Sequence, residues 1–361
     1  MKSRTPPANS ERVTLRAIAR AAKVSVMTVS YALRDNPEVS LPERRRVQRI
    51  AETLGYRPDP LLTHLMQHLR SQRTLKPASN LAALTMLDAG FVRRLLTGAR
   101  ARAERLGYSL DLIDLRQFMP KGAPLTRTLL ARGVAGVLLA PTVDPFNYSD
   151  LLDWSKFAAV AMTYSIYEPH VHRVVTHHFD NAVRTFALLE QRGYRRIGLA
   201  MTQDMEFRAN HSYSGAYYRT VGLKSAKFSP ILLLDRSGRA GIRAWFKDRR
   251  PDAIVVANAH QVRDFFLPAL GSRLCATVRF ACLDYEAEAG VAGMDQLFEI
   301  IGGHAIDTLV AQIHRNERGL PENPTISMVE GHWIDVPGPY SVQPKWQKRP
   351  RAAAGRVSHW N

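Results

Sequence analysis

Two cysteines among 361 residues, Cys275 and Cys282, are too few for a disulfide framework and suit a reducing compartment. No apolar run approaches transmembrane length, and the basic N-terminus lacks the apolar stretch of a signal peptide, so a cytoplasmic protein with no membrane partner is expected. Acidic residues are scarce: 32 Asp and Glu stand against 50 Lys and Arg, a net charge of +18. Catalytic signatures are missing too. There is no serine elbow and no paired-carboxylate arrangement, and Gly302-Gly303 does not have the spacing of a phosphate loop. The expectation is a protein that is not an enzyme and uses no cofactor. Four histidines, His170, His172, His177 and His178, lack the helical i,i+4 pair or cysteine spacing that zinc favours, so no metal is assigned to them.

What the chain does have is concentrated between Val13 and Leu69. Thr14 is suited to cap a helix over 15–22, Lys23 and Val24 fill a short turn, and Ser25 is suited to cap a second helix over 26–33. Two short helices so joined make a helix-turn-helix, whose second helix enters the major groove by its N-terminal end. Ser40-Leu-Pro-Glu43 has the form of a capping box opening a third helix that ends near Gly55. Ile18, Ala19, Ala22, Val24, Val29, Leu33, Val47, Ile50 and Leu54 recur at helical spacing and form one candidate core. Residues 1–76 carry fifteen Lys or Arg against six Asp or Glu, half of the net charge. Arg44, Arg45, Arg46 and Arg49 stand at the start of the third helix, where they are placed to meet phosphates.

Beyond this head, Asp59-Pro60 opens a further helical pattern with the apolar stripe Leu61, Leu62, Leu65, Met66 and Leu69, which reads as a dimerisation helix or as a DNA-dependent hinge. Ser71–Ser79 is a polar linker. From Leu81 onward, apolar strands alternate with amphipathic helices, which argues for parallel sheets covered by helices. The last stretch, from Pro337, holds five basic and no acidic residues. The division expected is a flexible 1–12, an all-α head over 13–58, a hinge helix and linker over 59–79, a two-lobed α/β body over 80–340, and a basic tail over 341–361.

The head resembles that of the lactose/galactose repressor family of bacterial transcription regulators. Val13-Thr-Leu, Ile18-Ala19, Val24-Ser25, Thr28-Val29-Ser30, Val39-Ser40, Arg46-Val47 and Leu54-Gly55-Tyr56 fall at the family's spacing without a gap. The resemblance implies that Val26, Met27 and Tyr31 read base edges, that Thr14, Ser25, Thr28 and Ser30 hold or flank phosphates, and that Arg34 and Tyr56 also contact DNA. It makes Leu65 a wedge into the minor groove, although Leu62-Thr63 stands where the family has Ala-Arg. Val26 and Met27 cannot make the bidentate hydrogen bonds by which Arg or Gln reads a base, so thymine methyl contacts and DNA shape are expected to dominate.

A looser resemblance covers roughly residues 80–340, through Gly193-Tyr-Arg-Arg-Ile197, Val255-Val-Ala-Asn258, Leu283-Asp284 and Asp295-Gln296. It implies a periplasmic-binding-protein-like fold, with lobe crossovers near 162–166 and 290–296 and an effector cleft between the lobes. By position, Asp284, Asn258 and Gln296 line that cleft, Arg208 and Asn210 stand near the effector-binding arginine, and Asp88, Phe91 and Tyr164 occupy strand ends facing it. Ala259 and His177 replace expected aspartates. The function implied is a repressor that binds a pseudo-palindromic double-stranded DNA operator as a homodimer, its affinity set by a sugar-like effector. An effector-independent repressor and, more distantly, a soluble sugar-binding protein stand as alternatives.

Overall fold

The computed structural model describes residues 13–33, 38–56, 80–118, 123–142, 146–222, 231–234, 241–338 and 340–342. The hinge pattern with Leu62, Thr63 and Leu65, the residue Arg34 and the tail beyond 342 lie outside the described residues.

Among the described residues the head has three helices: α1 (Leu15–Ala22), α2 (Val26–Ala32) and α3 (Leu41–Thr53). Thr14 Oγ1 accepts from Ala17 N (3.3 Å) and Ser25 Oγ from Thr28 N (3.0 Å), so both expected N-caps form. Lys23, at φ +53°, makes the tight turn, and Gly55, at φ +73°, ends the third helix. Ile18, Ala22, Val29, Ala32 and Val47 close the core with no exposure at all. The capping box does not form. Ser40 makes no side-chain cap bond, and the Glu43 carboxylate, which would accept from the Ser40 N–H, is paired with Arg46 (2.6 Å). Arg46 in turn donates to Ala22 O (2.8 Å), which ties α3 to the end of α1 instead of presenting this arginine to phosphate.

The body contains two six-stranded sheets. The first orders as β13-β7-β5-β3-β1-β2 and is parallel throughout: β1 (Asn80–Thr85), β2 (Ser109–Asp114), β3 (Val134–Leu139), β5 (Ala158–Ala161), β7 (His172–Thr176) and β13 (Ile326–Val329). The second orders as β14-β12-β11-β10-β8-β9, from β8 (Ile197–Thr202), β9 (Leu232–Leu234), β10 (Ala253–Asn258), β11 (Arg279–Asp284), β12 (Gly293–Asp295) and β14 (His332–Ile334), with only β14 antiparallel. Strands such as Val134–Leu139 and Ile197–Thr202 are buried along their whole length, as strands covered on both faces must be.

Helix α4 (Gly90–Arg105) and helix α11 (Phe298–Arg315) pack together on one face of the first sheet. Their backbones meet at two glycines: a Cβ on Gly98 would overlap the Glu299 carbonyl, and one on Gly302 the Leu95 carbonyl. The Gly302 that is no phosphate loop is therefore a helix-packing residue.

Among the described residues the chain crosses between lobes three times. The first crossing falls after β7, between Thr176 and helix α6 (His178–Gln191), and not near 162–166, because β7 first joins the first lobe's sheet beside β5. The second lies between Asp295 and Phe298, at the C-terminal end of the expected 290–296. The third, between Val329 and His332, was not foreseen.

Candidate DNA-reading head and interlobe cleft

The first turn of α2 exposes two large apolar side chains, Val26 at 41% and Met27 at 64%. A helix whose other face supplies Val29 and Ala32 to a core has no packing reason to carry them there. Ser25 and Thr28 share a hydroxyl–hydroxyl hydrogen bond of 2.8 Å beside them. Tyr31 and Tyr56 are half-buried and rest against the head's core, and Ser30 is half-buried. Of the four arginines at the start of α3, Arg45 and Arg49 are exposed, whereas Arg46 is engaged as described above.

In the body, the C-terminal ends of the parallel strands of both lobes face one cleft of about 360 Å³, where open α/β sheets place their ligands. Register puts Asn258 beside Asp284 at the ends of β10 and β11. Asn258 Oδ1 accepts from Gln261 N (3.3 Å), so it fixes its turn while lining the cleft. Asp284 caps no helix and makes no hydrogen bond or ion pair among the described residues. Burial, with Glu286 nearby, pushes its carboxyl up to about 8. Glu286 meets His260 at 2.7 Å on the rim.

The floor joins two crossings. Tyr213, on helix α8 (Ser212–Thr220), lies 3.0 Å from His178 Nδ1, and its oxygen accepts from Gln296 Nε2 at 3.2 Å. Gln296 also donates to Leu283 O (2.6 Å). Burial holds His178 neutral, down to about 4, and raises the Tyr213 phenol. Arg208, paired with Asp204 at 3.2 Å, places its guanidinium 5.9 Å from the Phe91 ring across the cleft.

Residues 14–59 match the description "Bacterial regulatory proteins, lacI family". The head belongs to the lacI family. The helix-turn-helix-type transcriptional repressor CytR of Escherichia coli (strain K12) is 25% identical over 188 residues, 51% of this chain and 52% of that protein. The match thus spans about half the length of that curated relative. Among solved structures, the transcriptional regulator CelR–cellobiose complex superposes with a TM-score of 0.58 at 20% identity, covering 90% of this chain and 99% of that one. The lac repressor dimer bound to operator and the anti-inducer ONPF gives 0.53 at 18% identity, covering 90% and 98%. At these identities the solved structures establish the fold: a helix-turn-helix head followed by a periplasmic-binding-protein-like body.

With the lacI-family head and fold in place, the residues expected in the cleft can be located. Phe91, Arg208, Asn258, Asp284 and Gln296 converge on it. Three do not line it. Asp88 is exposed and turned to Arg93 (2.5 Å), Asn210 is exposed in a left-handed turn at φ +51°, and Tyr164 is half-buried, its ring 6.3 Å from that of His178. Each of the three is next in sequence to a lining residue: Leu87 and Ala89, Ala209, and Thr163. His178, Tyr213, His260, Glu286 and Phe298 line the cleft without having been foreseen. For His178, His260 and Phe298 the available signal was an aromatic or histidine at a strand-to-helix junction. His177, which stands where the family has an aspartate, accepts from Asp180 N (3.3 Å) and caps α6. The other histidines have separate tasks: His170 meets Glu168 at 3.2 Å and His172 Nδ1 meets Thr325 at 2.8 Å. Among the described residues no helix is long and apolar enough to cross a membrane.

Proposed function

We propose that this chain is a cytoplasmic transcription regulator that binds double-stranded DNA through its head, represses by occupying a pseudo-palindromic operator as a homodimer, and changes DNA affinity when a small sugar-like molecule enters the interlobe cleft. The observation that carries the proposal is the exposed Val26-Met27 pair at the start of a properly capped second helix in a lacI-family head. In this reading Val26, Met27 and Tyr31 face bases, while Thr14, Ser25, Thr28, Ser30 and Tyr56 position the head. Arg34 and Leu65 complete the contact set. Phe91, Arg208, Asn258, Asp284 and Gln296 contact the effector, whose action requires different affinities for the open and closed bodies.

Selection of binding sites from a random duplex pool with the full-length protein tests the DNA half. Enrichment of a two-fold symmetric site with thymines in each half supports it. Recovery of no enriched site overturns it. Sedimentation of the protein on that site distinguishes a dimer from a monomer. Effector action is tested by measuring operator affinity with and without any compound that raises the melting temperature. Ligands that bind and leave operator affinity unchanged would remove the regulatory part of the proposal.

A further inference from the structure

The pole of the second lobe that points away from the cleft gathers positive charge. There the parallel strands begin and three helices end: α6 at Gln191, α9 (Ile242–Arg249) and α10 (Leu267–Cys275). Arg195, Arg196, Lys247, Arg250 and Arg273 are exposed at this pole, and none of the five pairs with a carboxylate among the described residues. Hydrogen bonds hold part of the patch together. The backbone N–H groups of Arg195 and Arg196 donate to the Asp252 carboxylate (3.1 and 2.9 Å), and Arg196 Nε donates to Arg250 O (2.7 Å). Neighbouring acids are already engaged, Asp248 with Arg249 (2.9 Å) and Asp335 with Arg192 (2.6 Å). The described chain also ends here. Val342 O accepts from Arg192 (3.4 Å), and the stretch that follows adds five basic residues and no acidic one.

Helix ends do not account for this charge. Each carries roughly half a negative charge, so the three together answer for fewer than two of the five cations. Like charges so gathered repel one another and work against the compact state unless a polyanion neutralises them. Four of the five are arginines, whose forked N–H groups match phosphate oxygens. We propose that this pole is a second DNA-contacting surface, which grips duplex phosphates without reading their sequence. The choice of DNA among polyanions rests on the head reading, because a protein held on DNA by its head meets further duplex at high effective concentration. The same duplex segment does not serve both surfaces. The chain enters the body at Asn80, where the first lobe's strands begin, and the strands of both lobes end at the cleft, so entry and basic pole lie at opposite ends of the body. Six-residue strands of about 20 Å in each lobe put them on the order of 40 Å apart, and duplex DNA is too stiff to fold back over that distance.

Sedimentation velocity of the full-length protein with an excess of a short labelled duplex of random sequence tests the proposal by counting duplexes bound. The comparison is a variant combining Arg195→Gln, Lys247→Gln, Arg250→Gln and Arg273→Gln, which spares Arg196 and its bond to Arg250 O. At low salt the parent should carry one duplex more per protomer than this variant. That extra binding should weaken on the order of a hundredfold between about 50 and 200 mM salt, as release of counterions from four phosphates requires. A second variant, with Arg195→Lys, Arg250→Lys and Arg273→Lys, keeps the charge and should retain most of the extra duplex, which separates lost charge from a folding defect. Equal numbers of duplexes on the parent and the glutamine variant overturn the proposal. So does charge-dependent pelleting with vesicles of phosphatidylcholine and one-third phosphatidylserine in the absence of the extra duplex, which would make the partner a membrane. If the parent carries the extra duplex but selection from a random pool enriches no site, the pole stands and the operator reading fails. If a site is enriched and the duplex counts are equal, the operator reading stands and the pole fails.

Discussion

The head and the cleft are built on opposite plans. The described part of the head's candidate surface comes from one stretch of the chain, residues 14–56, and its geometry follows from local devices: two side-chain caps, a left-handed turn at Lys23 and a first helical turn that exposes Val26 and Met27. The cleft draws on segments nearly 200 residues apart, from Phe91 to Asp284, brought together by two parallel sheets and three crossings. A surface made of consecutive residues tolerates changes elsewhere and is lost through its own residues. A surface made of distant ones depends on packing far from the ligand.

The largest expected effect tests this contrast directly. Gly302→Val would force a branched side chain onto the Leu95 carbonyl, and overpacking between two helix backbones should cost about 3 kcal/mol. The melting temperature of the body should fall by roughly 10 °C on a calorimetric scan. A smaller loss than that of any head cap would break the comparison.

Next in size is the pH response of Asp284. In the folded chain its carboxyl keeps a proton up to about 8, whereas an exposed aspartate releases it near 4. The folded state therefore binds more protons in that window, and the contribution of this group to stability falls as pH rises through it. Asp284→Asn should accordingly melt several degrees above the parent near pH 8 and converge with it near pH 4. Equal melting at both pH values would show that the carboxyl is solvated.

His178 titrates with the opposite sign. Its folded value lies near 4 against a reference of 6.5, so the unfolded chain takes up the proton first. The stability this imidazole contributes is complete above 6.5 and disappears as pH falls toward 4. His178→Gln, which keeps a hydrogen-bonding partner for Tyr213, should flatten the acid side of the stability profile between these values. The smallest effect belongs to the head: Ser25→Ala removes one N-cap bond and should cost about 1 kcal/mol in a urea melt of the head transition.

Most of the head was legible because every signal acts over three or four residues. Thr14 and Ser25 cap where their hydroxyls and spacing say they should. The exception is instructive: Ser40 and Glu43 have the letters of a capping box, but Arg46 lies one turn on and a charged partner outcompetes a backbone amide for the carboxylate. In the body, strand and helix alternation was readable, and so were residues at the carboxyl ends of strands, such as Asn258 and Asp284. The side chains of Asp88 and Tyr164 do not line the cleft, because a side chain at a strand end can turn either way and its direction is set by neighbours such as Arg93 and His178.

The sequence by itself determined the three-helix head and the parallel α/β character of the body, consequences of periodicity and short-range hydrogen bonding, while the resemblance of its spaced residues pointed to the family and to Val26 and Met27. Only the tertiary structure decided where the lobes cross, why Gly98 and Gly302 are glycines, and that His178, Tyr213 and Gln296 join the crossings. Each of those depends on side chains meeting across long stretches of chain, and contacts of that kind leave no period in the sequence.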